Sequence, residues 1–223
     1  MVADGREASL YEELRGRILS LEYVPGERVT ERSLETDLGA SRTPIRAALL
    51  RLEVDGLIRR ESRAWRVTPI DLSEIRALTE FREGLETAIV ALVVERAREE
   101  DFADLLAVLD GADEAGPAEA IRAGGDFHAL LAEIAENPFY SEAMRGVMVR
   151  LQRARWLVVR TAEERADVKA QHRAIVGALQ ARDLQRAQEL AIAHLRASAE
   201  QTLRVLRADR QRFRGHGLEV VES

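Results

Sequence analysis

A chain of 223 residues with no cysteine, 4% aromatics and a formal charge of −6 is long enough for two modest domains. It excludes disulfides, thiolate metal sites and cysteine nucleophiles, and its acidic balance excludes a protein that coats polyanions without selectivity. No apolar run approaches about 18 residues and the opening MVADGREASLYEEL has acids but no apolar core, so neither a membrane span nor a secretory leader is expected, and a cytoplasmic location follows.

Residues 1–9 read as disordered. Leu10, Leu14, Ile18 and Leu21 predict a first helix over about 10–21, and Val24-Pro25-Gly26-Glu27 predicts a turn. Thr30 is placed to cap a short helix that carries Leu34 and Leu38 on one face and stops at Gly39. Ser41 caps the next helix, with Pro44 in its first turn, where a missing N–H is tolerated. Ile45, Ala48, Leu49 and Leu52 repeat at helical spacing and turn inward, while Arg42, Thr43 and Arg46 lie on the opposite side near its N-terminal end. Gly56 ends this helix. Leu57–Arg60 and Trp65–Thr68 then read as two strands joined by Glu61-Ser62-Arg63-Ala64. Between Ser41 and Arg66 seven arginines stand against three acids, whereas residues 1–70 hold twelve charges of each sign and the remainder carries the net −6.

Helix, glycine turn, helix with a basic tip, then a hairpin describes a winged helix-turn-helix. In that arrangement the second helix enters the DNA major groove tip first. Arginine suits guanine because its fork meets two acceptors at once. The same geometry also occurs as a small helical core with a solvated basic face, without DNA.

Ile70 to Ser73 reads as a short linker, with Asp71 or Ser73 capping a long helix. From Leu72 to about Arg98, apolar residues recur at Leu72, Ile75, Leu78, Phe81, Leu85, Ala88, Ile89 and Leu92. Further helices are predicted over about 102–109, 118–136, 141–161, 165–181 and 184–208. Turn signals lie at 111–117, at Asn137-Pro138 and at 181–183, where Asp183 can cap the last helix. The fold class is therefore mainly α: a winged helix-turn-helix over residues 1–69 and an all-α antiparallel helical bundle over 70–223. The end from about residue 209 is expected to be a mobile tail.

His216 lies in that tail. His128, His172 and His194 each fall on an inward face of a different predicted helix: His172 among Val168, Ile175, Val176 and Leu179, His128 beside Leu130 and Leu131, His194 with Ala187 and Ala191. A single such histidine is usually a satisfied core group. Three on separate inward faces can converge, and neutral imidazoles are common metal ligands.

The run PGERVTERSLETDLGASRTPIRAALLRLEVDGLIRR resembles the DNA-binding domain of the GntR superfamily of bacterial transcription regulators. The matching pieces include Pro25-Gly26-Glu27-Arg28, Leu38-Gly39, Ser41-Arg42-Thr43-Pro44, Arg46 and Asp55-Gly56-Leu57. The resemblance implies DNA contacts from Arg32, Ser41, Arg42, Thr43 and Arg46. That family often places a glycine at the wing tip; Ser62-Arg63-Ala64 has none, and Arg63 is the candidate to take over its contact. Residues 70–208 resemble the helical effector domain, FCD, of the FadR-like branch through Phe127-His128-x-x-Leu131, Glu136-Asn137-Pro138, Gln171-His172-Arg173-Ala174-Ile175 and Ala193-His194-Leu195.

This second resemblance implies a divalent metal, zinc or similar, on His128, His172 and His194. The aspartate that usually completes the set lies four residues before the first histidine, where this chain has Gly124. Asp126 is near, but two residues from His128 it points about 200° round a regular helix, unless Gly124-Gly125 distort the backbone. The resemblance further implies effector contacts at Arg82 and Asn137, with Arg82 holding a small carboxylate; an i,i+4 pair with Glu86 is the alternative role for Arg82. A dimeric regulator, of repressor type, reading a near-palindromic operator and sensing a small organic acid is the expectation. Two other readings stand beside it. One is a helical metalloenzyme on a three-histidine centre, for which no carboxylate base is evident; the other is a metal-stabilised DNA-binding protein without an effector.

Overall fold

The computed structural model describes residues 2–62, 64–111, 117–158 and 161–223. Two compact units divide the chain: Met1–Leu72 together with Leu206–Ser223, and Ser73–Val205.

The first unit begins with α1 (Val2–Leu19), where the sequence predicts disorder over residues 1–9. The segment before Leu10 holds no proline and a single glycine, Gly5, so the helix anchored by buried Leu10, Tyr11, Leu14 and Ile18 extends back to Val2. It packs on α3 (Arg42–Val54), which buries Ile45, Ala48, Leu49 and Leu52. The Tyr11 hydroxyl donates to Asp55 at 2.6 Å and ties the two helices together.

Between them runs α2 (Glu31–Leu38). Thr30 accepts from Ser33 N at 3.0 Å and Ser33 Oγ accepts from Thr30 N at 3.1 Å, a reciprocal cap. Gly39 ends α2 with φ +58. Ser41 occupies the N-cap position of α3, but contrary to expectation its hydroxyl makes no capping bond. At the far end Gly56 N donates to Glu53 O and Leu57 N to Leu52 O, with Gly56 at φ +73, a Schellman stop.

The wing consists of β2 (Ile58–Glu61) and β3 (Ala64–Val67), antiparallel. A short β1 (Arg28–Val29) pairs with the other edge of β3, giving the order β1-β3-β2. Ser62 takes φ +57, the left-handed conformation that glycine adopts most easily. Arg63 lies outside the described residues.

Two further features of this unit differ from the sequence reading. Ile70–Asp71 is a strand, β4, rather than a free linker. The expected mobile tail is ordered as α10 (Arg210–Gly215) and β5 (Val220–Val221), which pairs parallel with β4. Phe213 and Val220 are buried there, apolar anchors that a polar-looking sequence context concealed.

The second unit is a bundle of α4 (Leu72–Arg96), α5 (Glu99–Asp110), α6 (Pro117–Ile134), α7 (Pro138–Leu157), α8 (Ala162–Gln180) and α9 (Leu184–Ala208). The predicted turn over 111–117 lies mostly outside the described residues. Asp183 Oδ1 caps α9 by accepting from Arg186 N at 3.0 Å. Arg182, at φ +56, sends its guanidinium to the Val94 carbonyl at 2.7 Å and closes the end of α4.

Phe102, Phe127, Leu105, Ile89, Val90 and Val93 form the centre of the core. Phe81, placed in the α4 stripe by its spacing, is 54% exposed. The inward positions near it belong to Arg82 and Glu86, which face each other inside, so the neighbouring phenylalanine turns out. Among the described residues no helix is long and apolar enough to cross a membrane.

Because Phe102 is fully buried at the meeting of these helices, Phe102→Ala is expected to lower unfolding stability by about 3–5 kcal/mol. Urea denaturation reads this directly. A loss below about 1 kcal/mol would mean that the core closes over the gap.

Candidate functional site

Two places in the molecule gather functional side chains, one in each unit. The first is the tip of α3 with the wing. Arg32, Ser41, Arg42, Thr43 and Arg46 are all exposed there. Arg42 Nε donates to Glu35 at 3.1 Å and Arg46 Nε to Glu31 at 3.2 Å, so acids of α2 hold both guanidiniums. Arg32, Arg42 and Arg46 share a concavity with Arg60, Ser62 and Trp65 of the wing. Sequence reasoning misses Arg60. Its signal is only its place on β2 opposite Trp65, where its guanidinium stands 5.7 Å over the indole. Exposed arginines round a concave face can meet phosphates and base edges.

The second place is inside the bundle. His128 of α6, His172 of α8 and His194 of α9 are buried, and one ring nitrogen from each lies within 4.8 Å of the others. His128 Nε2 is 3.2 Å from His172 Nε2. Two of the rings have a partner on the outer side. Gln171 Oε1 sits 2.8 Å from His194 Nδ1, which places the proton on Nδ1 and turns Nε2 inward. Glu86 Oε1 sits 2.9 Å from His128 Nδ1. That contact is close but off the line of a hydrogen bond, since His128 Nδ1 has no bonded partner by angle; the charge attraction remains.

Burial pushes all three imidazoles well below the ordinary histidine value. For His128 the charges of Arg82 and Arg155 add to burial. For His172 the other two histidines come next, and for His194 His128 and then Arg82. The rings are therefore neutral, with one nitrogen of each turned toward a common point.

Arg82 is buried and pairs with Glu86 through Nη2 at 2.6 Å, leaving Glu86 Oε2 without a hydrogen bond. The i,i+4 pair read from the sequence thus exists, but inside the protein. Arg82 and Arg155 both line a cavity of about 30 Å³ with Thr79, Ser198 and Thr202, room for two or three waters. Asn137 is not among the lining residues; it caps α7 by accepting from Phe139 N at 3.1 Å.

A Cβ at Gly124 would lie 2.6 Å from Arg155 Nη2, so a guanidinium fills the place of the usual carboxylate. Asp126 is exposed on an unbroken α6 and does not substitute for it. Three neutral, inward-facing imidazoles, one of them fixed by Gln171 on its outer nitrogen, suit a divalent metal with one open position. Spacing does not pick out Glu86, Arg155 and Gln171 as parts of this pocket. The i,i+4 spacing of Glu86 from Arg82 suits a surface pair equally well, and Arg155 reaches the site only by the packing of α7 on α6.

Because these folded-state values are depressed, the unfolded chain takes up protons that the buried rings refuse. In chelator-treated protein, stability is expected to be full above about pH 6.5 and to fall below it, each ring adding up to about 1.4 kcal/mol per pH unit. An unfolding midpoint that stays flat from about pH 7 to 5 would contradict the neutral, desolvated state of the rings.

Comparison with known proteins assigns a family to each unit's sequence. Residues 77–197 match the FCD domain family and residues 6–66 the gntR family of bacterial regulatory proteins. YdhC of Bacillus subtilis, described as an HTH-type transcriptional regulator, is 29% identical over 203 residues, covering 88% of this chain and 90% of that protein. The Nta operon transcriptional regulator of Aminobacter aminovorans is 28% identical over 193 residues, covering 85% and 90%. The solved structure of Escherichia coli McbR/YncC shares the fold at a TM-score of 0.78 and 23% identity, over 89% of this chain and 97% of that one. These relatives are transcriptional regulators rather than enzymes. The chain therefore joins a gntR-family DNA-binding domain to an FCD domain and belongs to the GntR/FCD transcriptional regulators.

Proposed function

We propose that this regulator is a cytoplasmic homodimer that represses transcription from a near-palindromic operator and responds to a small carboxylate bound in the histidine pocket. The observation that carries the reading is the convergence of His128, His172 and His194 within the field of two arginines, Arg82 and Arg155, which line a small cavity next to them. A divalent metal such as zinc, held by the three imidazoles, would supply a Lewis-acidic open position for a carboxylate oxygen. Arg82 would hold the same acid by its guanidinium fork. Glu86 is an orienting group: it lies on the Nδ1 side of His128, away from the point where the Nε2 atoms meet, and is paired with Arg82. It is therefore no free base, which argues against the metalloenzyme reading. Asn137 remains a proposed effector contact only by resemblance, since its side chain is used as a helix cap. The cavity, at about 30 Å³, is smaller than an organic acid, so binding would require the side chains or helices round it to part.

On the DNA side, Arg32, Ser41, Arg42, Thr43 and Arg46 would read the operator, with Arg63 at the wing tip. The Glu31 and Glu35 pairs are exposed and worth little, so phosphate can displace them. A dimer follows because one such head reads few base pairs and two-fold symmetry doubles the site. Arg42→Ala and Arg46→Ala are each expected to weaken binding to a selected operator by about 1–3 kcal/mol at fixed salt. A half-site should bind far more weakly than the full site. Wild-type affinity in both variants, or equal affinity for half and full sites, would overturn this assignment.

The metal is tested by elemental analysis after dialysis against zinc. About one ion per chain is expected for a site of this kind, reduced in His172→Ala. Gly124→Asp would set its carboxylate against Arg155, so zinc affinity should rise more when Arg155→Gln is added than in the single variant. Wild type without zinc and without a thermal shift on adding it would make the histidines plain polar groups of an effector pocket.

A further inference from the structure

The end of the chain is built into the DNA-reading unit. After α10, Leu218 N donates to Phe213 O at 3.0 Å and Gly217 turns the backbone at φ +78. Glu219 then lies between two segments distant in sequence. Its N–H donates to Pro25 O at 2.8 Å, and its carbonyl accepts from Ile70 N at 3.0 Å. The pairing continues as Ile70↔Val220 and Asp71↔Val221. Arg210 Nε donates to Val220 O at 2.9 Å, and Ser223 N to the Asp71 carboxylate at 3.3 Å.

The side chain of Glu219 reaches the wing. It meets Arg66 Nη2 at 2.9 Å, while Glu61 meets Nη1 of the same guanidinium at 3.2 Å. Arg66 stands on the central strand with Arg28 opposite on one side and Arg59 on the other. Three arginines abreast repel one another, and Glu219 offsets that repulsion from outside the wing. Gly26 completes the fit: it sits at φ +92, and a Cβ there would lie 2.6 Å from the Cβ of Glu219.

We infer that residues 209–223 are a clasp for the wing. Docked, the segment joins the Pro25-Gly26 turn, β3 and β4 and holds the wing in the position that reads the operator. Undocked, it releases the wing and operator affinity falls. Glu219 is a positioning residue that acts through Arg66. The clasp is weak enough to open, because its ladder pairs only two residues on each strand and its buried apolar anchors are Phe213 and Val220.

The test uses the full chain with Val220→Lys and, separately, Glu219→Gln. Both changes make the protein less acidic, so by charge alone each would strengthen DNA binding. The clasp requires the opposite. Val220→Lys buries an ammonium and should release the segment, seen as faster amide exchange at Ile70 and through β3, with operator affinity about tenfold lower at the same salt. Glu219→Gln keeps the backbone bonds and should lower affinity about threefold. Zinc-induced thermal shift of the helical unit should be unchanged in both, which separates an open clasp from general unfolding. If Val220→Lys does not fold, a chain ending at residue 208 with a peptide of residues 209–223 added in trans replaces it. The peptide should restore affinity. Rapid exchange at Ile70 with wild-type operator affinity, or a truncated chain that binds fully without the peptide, would overturn the inference.

Discussion

Burying an ion pair inside a helical bundle is tolerable only when every charge has company, and the second unit is arranged around that constraint. Arg82 and Glu86 are one turn apart on α4 and both face inward. Breaking such a pair would strand one charge, at a cost of about 3–5 kcal/mol. Glu86 therefore needs Arg82 on one side and meets His128 on the other. The three histidines stay neutral for the same reason: a further charge so far from water would be strongly destabilising. Neutral imidazoles are also the form in which a metal ion would be bound.

Gly124 and Arg155 belong to the same arrangement. A carboxylate at position 124 would add a negative charge near the histidines. This chain has instead a guanidinium over a bare backbone, which shifts the local balance toward positive.

The first unit solves a different problem, that of presenting arginines without losing them to solvent disorder. The inner face of α3 is anchored by Ile45, Ala48, Leu49 and Leu52, which orients its tip. Glu31 and Glu35 hold Arg46 and Arg42 loosely, at geometries that a phosphate can take over. The hydroxyl of Ser41, which makes no cap bond, adds a donor at the same tip. The wing is held from behind by residues from the far end of the chain, so this unit is continuous in space and discontinuous in sequence.

Much of this is legible in the amino-acid sequence. Period and punctuation alone place Thr30, Gly39 and Gly56 at helix ends and the apolar face of α3 inward, because caps and 3.6-residue spacing are local properties. The three histidines are legible as inward-facing for the same reason. Tertiary structure alone decided what depends on residues distant in the chain. It brought Arg155 over Gly124, drew the Arg82–Glu86 pair from the surface into the pocket, and turned Phe81 outward in exchange. It also paired Val220 with Ile70. A two-residue strand carries no periodic signal, and a buried charge is marked by its partner's position rather than by its own neighbours; both come into being only when separate segments of the chain pack together.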